Sequence, residues 1–166
     1  MNKHLLTAGI IAGLAFTLNV VADVDASGKE GVDLADVPAD VMAVASAAGP
    51  GVEFREAEYE TRNGKGYWDI EGEGPNGEIE FDITQVDGRW AVVETQRDID
   101  SALVPADVAA ALAESAGAFT PGRIIESIQA DGLVIYEFFG ADDATVKHEV
   151  SWDGETATWL EDEWKH

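Results

Sequence analysis

Two rhythms alternate along the chain, and each occurs twice. Val37, Val41, Val44, Ala45 and Ala48 recur at the spacing of one helix face, and Val104, Val108, Ala111, Leu112 and Ser115 do so further on. This predicts helices near 38–48 and 105–116. Pro38 and Pro105 suit a first turn, where a missing N–H costs nothing, and Asp40 and Asp107 follow where the helix dipole favours negative charge. Gly49-Pro50-Gly51 and Gly117 stop the two helices. After each helix the period shortens to two. Ile79, Phe81 and Ile83 alternate with Glu78, Glu80 and Asp82, and Trp68 and Ile70 alternate with Tyr67, Asp69 and Glu71, as in half-buried strands. Asn63-Gly64, Pro75-Asn76-Gly77, Asp87-Gly88 and Asp131-Gly132 supply turns between them. Val146, His148 and Val150 share a face later on, before a last strand through Trp159.

The doubling is literal at one point: Val37-Pro38-Ala39-Asp40-Val41 returns as Val104-Pro105-Ala106-Asp107-Val108. With small gaps, Gly64 aligns with Gly132, Gly72 with Gly140, Asp87-Gly88 with Asp153-Gly154, and Tyr67 to Gly72 with Ile135 to Gly140. An internal repeat means two copies of one supersecondary unit. The expected fold class is therefore α+β, with two tandem helix-plus-four-strand repeats, antiparallel sheets and helices on one face. The expected organisation is a signal peptide over 1–26, a flexible polar leader over 27–36, and repeats over 37–99 and 100–166.

These motifs resemble the PepSY-like family. The residues that carry the resemblance are Val37-Pro38, Gly64, Tyr67 to Ile70, Ile79 to Ile83 and Asp87-Gly88, with their second-copy partners. A tandem pair also resembles the beta-lactamase-inhibitor-protein-like fold. The resemblance implies sheets side by side with helices on one face and the other face open. It also implies a non-catalytic role, since related domains occur in protease propeptides and in exported proteins proposed to bind or inhibit enzymes. The disulfides of the inhibitor protein have no counterpart here, so inhibition of a beta-lactamase is not carried over.

The N-terminus adds an address. Lys3 and His4 precede an apolar run from Leu5 to Leu18, and Val20-Val21-Ala22 and Val24-Asp25-Ala26 each offer a small-residue cleavage site. Export to the periplasm or medium is expected, with no membrane attachment after cleavage. The run falls short of the ~20 residues that span a bilayer. Charge narrows the partners further. With 33 acidic against 10 basic residues the net is −23, which repels nucleic acid and anionic membranes and favours cationic partners.

The sequence holds no recognisable catalytic constellation. Cysteine is absent, and the histidines are His4, near the start, His166, at the end, and His148, in the place of Phe81 on an apolar strand face. No enzyme activity and no cofactor are expected. Acidic pairs are too numerous for any one to stand out as a glycosidase dyad. For metals, Asp23-x-Asp25-x-Ser27-Gly28 resembles the start of a calcium loop but has Leu34 where a bidentate Glu is required. Glu71-x-Glu73, Asp142-Asp143 and Glu161-Asp162-Glu163 read as solvated acidic runs. No metal site is assigned.

What remains is a surface. Strand phase places Asp69, Glu71, Glu78, Glu80 and Asp82 opposite the apolar face in the first copy, and Ile135, Glu137, Phe139, Lys147 and Glu149 in the second. Tyr67, Ile135 and Phe139 alternate with Trp68, Tyr136 and Phe138, which belong beneath the helices. The expected binding face is thus Tyr67, Asp69, Glu71, Glu78, Glu80, Asp82, Ile135, Glu137 and Phe139, with an acidic half for steering and an aromatic half for contact. The expected function is an exported, non-enzymatic binding module. Its partner would be another exported protein, with a hydrolase the class the resemblance favours. The alternative is an acidic calcium-binding protein with no specific protein partner.

Overall fold

A computed structural model describes residues 28–164. The proposed signal peptide, most of the calcium-loop-like motif, His4 and His166 lie outside these residues. In chain order the elements are β1 (Glu30–Gly31), α1 (Ala39–Ala48), β2 (Glu53–Arg62), β3 (Lys65–Gly74), β4 (Gly77–Val86), β5 (Arg89–Asp98), a 3-10 turn (Ser101–Leu103), α2 (Ala106–Ala116), β6 (Pro121–Gln129), β7 (Val134–Gly140), β8 (Lys147–Trp152) and β9 (Ala157–Leu160). The nine strands among the described residues form one antiparallel sheet in sequence order.

This corrects the expectation of two tandem helix-plus-four-strand repeats with their antiparallel sheets side by side. The sheet is single and nine-stranded, and it begins with a strand ahead of the first helix. Glu94 to Asp98 pair with Gln129 to Ile125 in an unbroken ladder. Two separate sheets would leave those edges with unpaired N–H and C=O groups, and pairing them removes the exposed edges. The polar stretch expected as a flexible leader is also structured. Glu30 and Gly31 pair with Tyr59 and Glu58 of β2, and Val32 and Leu34 pack on the core.

Local chemistry explains the turns. The two-residue connections β2–β3 and β4–β5 are Asn63-Gly64 and Asp87-Gly88, with φ of 53° and 78°, and 52° and 75°. Two successive positive φ values match the strands' twist, and Asn or Asp followed by Gly tolerates them best. Gly49 ends α1 because the chain must pass the Phe81 ring there: a Cβ at this position would lie 2.8 Å from two ring carbons.

The core lies on the helix side of the sheet, in two clusters. Val37, Val41 and Ala45 pack on Ala57, Ile70, Phe81 and Ile83, with Trp68 partly buried beside them. Val108 and Leu112 pack on Ile124, Tyr136, Phe138 and Val150. His148 belongs to this side, with its ring 4.5 Å from Phe119 and 4.8 Å from Trp159.

Phe81 and Phe138 are the largest fully buried side chains among the described residues, one in each cluster. Truncating either to alanine is expected to cost about 3–5 kcal/mol in urea denaturation. Because one ladder joins the clusters, the parent should unfold in a single transition. Coincident tryptophan-fluorescence and far-ultraviolet circular dichroism curves check this, and two resolved transitions would contradict it.

Candidate functional site

Among the described residues no helix covers the other side of the sheet, and the strand register writes its chemistry in rows. Residues directly opposite across antiparallel strands share a face. One row runs Glu58, Asp69, Asp82, Glu94, Gln129 across β2 to β6. The next runs Glu56, Glu71, Glu80, Gln96, Ser127, Ile135 across β2 to β7. The register shifts between Asp82 and Ile83, where β5 carries an extra residue, and this bulge keeps Glu94 beside Asp82.

Several of these carboxylates are buried, although no helix lies over them. Asp69 is 3% exposed, Asp82 1% and Glu94 2%. Ionised carboxylates taken from water need partners. Lys29, just before β1, places Nζ 2.7 Å from Asp69, 3.4 Å from Glu58 and 4.0 Å from Glu80. Arg62, at the end of β2, pairs with Glu60 and donates from both terminal nitrogens to Asp82 Oδ2 at 3.2 Å, with Asp69 Oδ1 at 3.6 Å. Glu94 accepts from Ser127 Oγ and from Gln129 Nε2. The compensation is incomplete. Asp82 Oδ1 accepts no hydrogen bond, and Asp69 depends on its charged neighbours Lys29 and Arg62.

Protonation answers this imbalance. Burial pushes the Asp82 carboxyl up to about 9, helped by Asp69, Glu94 and Glu80 and opposed by Arg62. Burial pushes Glu80 up to about 7, opposed by Lys29 and helped by Asp69 and Glu71. Burial works against the charge on Lys29, but Asp69, Glu80 and Glu58 outweigh it and hold the ammonium above its ordinary range.

The second half of this face differs from the aromatic contact surface expected of it. Ile135 is 1% exposed. Phe139 is half-buried, with the Arg123 guanidinium 5.9 Å and the Lys147 ammonium 6.0 Å from its ring centre. Tyr67, in the first half, is buried, with Arg62 4.7 Å and Lys65 5.6 Å from its ring centre. Lys147 also joins Glu137 at 3.1 Å, Glu149 at 2.7 Å and Glu163 at 2.6 Å, and the Trp164 backbone N–H donates to Glu149. The C-terminal segment therefore lies against this half. Burial raises the Glu137 carboxyl against the pull of Lys147.

Of the sequence-predicted binding residues, Asp69, Glu80 and Asp82 come together, with one oxygen of each within 4.8 Å of the others. Glu71 joins Glu56, Glu58, Asp69 and Glu80 around a cleft of about 90 Å³. Glu78 lies apart, exposed and 3.4 Å from Arg123. Tyr67, Ile135, Glu137 and Phe139 lie outside the acidic cluster. Sequence reasoning missed Lys29, Arg62, Glu58 and Glu94. The alternation of Glu56, Glu58 and Glu60 with Ala57 and Tyr59 signals the acidic face of β2, and Lys29 stands out as the basic residue of an acidic leader.

Because Asp82 and Glu80 hold protons in the folded chain at pH values where the unfolded chain has released them, rising pH takes away stability. Unfolding midpoints should fall as pH rises from about 5 to about 9 in the absence of divalent cations. Asp69, Glu71, Glu94, Glu58, Glu60, Lys29 and Arg62 surround the pair from the neighbouring strands and leader, so the slope belongs to the cluster. Asp82→Asn, which cannot ionise, should flatten it, and a variant with the parent's pH profile would contradict the assignment.

A scan against models of known protein families finds no match to this chain, and a search of curated proteins finds none either.

Proposed function

We propose that this chain is an exported, non-catalytic binding module that captures cationic groups of another exported protein on the acidic half of its helix-free sheet face. One observation carries the reading: carboxylates outnumber cations around Asp69 and Asp82, and the face already seats an ammonium, that of Lys29, at 2.7 Å from Asp69. A face that holds one lysine in this way offers the same chemistry to a partner's lysine or arginine. Glu56, Glu58 and Glu71 line the cleft beside it, where a long basic side chain could enter. The resemblance to PepSY-like binding domains and the signal-like N-terminus support the same role and an extracytoplasmic address.

Electrostatics would carry such docking, because the apolar residues of the face are buried or lie beside cations. Electrostatic association is fast and falls steeply with ionic strength. The expected partner is therefore a basic exported protein, and a hydrolase is the class that the resemblance suggests.

The test is retention of exported proteins from the source cells on the immobilised parent and on a Glu56→Gln, Glu58→Gln, Glu71→Gln variant. The parent should retain a basic protein at low salt and release it as salt rises, and the variant should retain much less. Equal retention on both would remove the acidic half as the docking surface.

A further inference from the structure

The acidic cluster has the donors of a metal centre, held on three neighbouring positions of two adjacent strands. Asp69 lies on β3, and Glu80 and Asp82 lie on β4. Asp69 and Asp82 face each other across the ladder, and Glu80 is one same-face step along. Two oxygens bound to one calcium ion at about 2.3–2.6 Å are at most about 5 Å apart. One oxygen from each of the three lies within 4.8 Å of the others, so a single ion can reach all three. The donors are all oxygen, which suits a hard cation such as calcium and offers nothing to zinc or copper.

Acidic residues crowd many protein surfaces without binding metal, and a second observation separates this group from such runs. Asp82 is 1% exposed, and its Oδ1 accepts no hydrogen bond. A buried carboxylate oxygen with no donor is costly unless it takes up a proton or a cation approaches it. Arg62 satisfies the other oxygen, Oδ2. The adjoining cleft, lined by Asp69 and Glu80 together with Glu56, Glu58 and Glu71, has room for water to complete a calcium shell of six to eight oxygens.

We propose that Asp69, Glu80 and Asp82 form a calcium site and that the Lys29 ammonium is its built-in competitor. Lys29 reaches two of the three ligands, Asp69 and Glu80, from a position just before the two-residue strand β1. A divalent ion entering between the carboxylates would share their charge with Lys29 and displace its ammonium. The N-terminal segment then reports on the ion: it is pinned through Lys29 without calcium and loosened with it. The proposal goes beyond protein docking and does not depend on it, so it is tested on the isolated protein.

The experiment is calorimetric titration of the purified full chain with calcium chloride, against sodium chloride of equal ionic strength. We expect one saturable calcium site per chain and no such isotherm with sodium. Glu80→Gln and Asp82→Asn should each weaken it about tenfold or more. Both variants keep the side chain's volume, and circular dichroism checks their folding. Lys29→Ala should bind calcium several-fold more tightly than the parent. Absence of a saturable site, or parent-like affinity in both folded carboxylate variants, would overturn the metal site. Unchanged or weaker calcium binding by Lys29→Ala would overturn the role given to the lysine.

Discussion

The ion pair between Lys29 and Asp69 is the contact on which this face depends. Asp69 sits on the third strand of a nine-stranded sheet, 3% exposed, on the side that no helix covers among the described residues. A buried carboxylate deprived of its counter-charge costs about 3–5 kcal/mol, because the remaining charge has neither water nor a partner. Lys29 supplies that charge from outside the strands, and the need to hold it there gives a physical reason for β1 to exist at all. Arg62 does the same for Asp82 from the far end of β2.

The two sides of the sheet thus carry different tasks. The helix side collects most of the large apolar residues among those described into two clusters and provides the burial that holds the domain together. The helix-free side collects charge. Its few apolar residues are buried or flanked by cations, as Phe139 is by Arg123 and Lys147. A surface arranged this way offers little hydrophobic adhesion and much electrostatic selectivity, so both the docking and the calcium readings rest on positive charge.

Local signals explain what was readable in advance. Asn63-Gly64 and Asp87-Gly88 announce tight hairpins because those residue types tolerate positive φ. The alternation around Ile79, Phe81 and Ile83 reveals that the intervening acids share a face, since side-chain period alone sets that. Pairing between distant segments left no such mark. Glu94 meets Gln129 across the β5–β6 ladder, and no local pattern in either strand announces that partner. The helix-plus-four-strand expectation failed for this reason. Lys29 was hidden similarly, because a polar stretch before the first helix looks like leader until its strand pairing is known. Strand phase also assigns a face without saying what covers it. Tyr67 and Ile135 therefore look like exposed contacts in sequence, although both are buried.

A double-mutant cycle between Lys29 and Asp69, by urea denaturation without divalent cations, tests the account most directly. Lys29→Ala, Asp69→Asn and the double variant isolate the coupling from the separate cost of each change. The account predicts a coupling on the order of 2 kcal/mol or more, above the roughly 0.2–1 kcal/mol of an exposed pair. A coupling inside that exposed range would contradict it, since Lys29 would then be a surface ornament and Asp69 would owe its place in the sheet to something else.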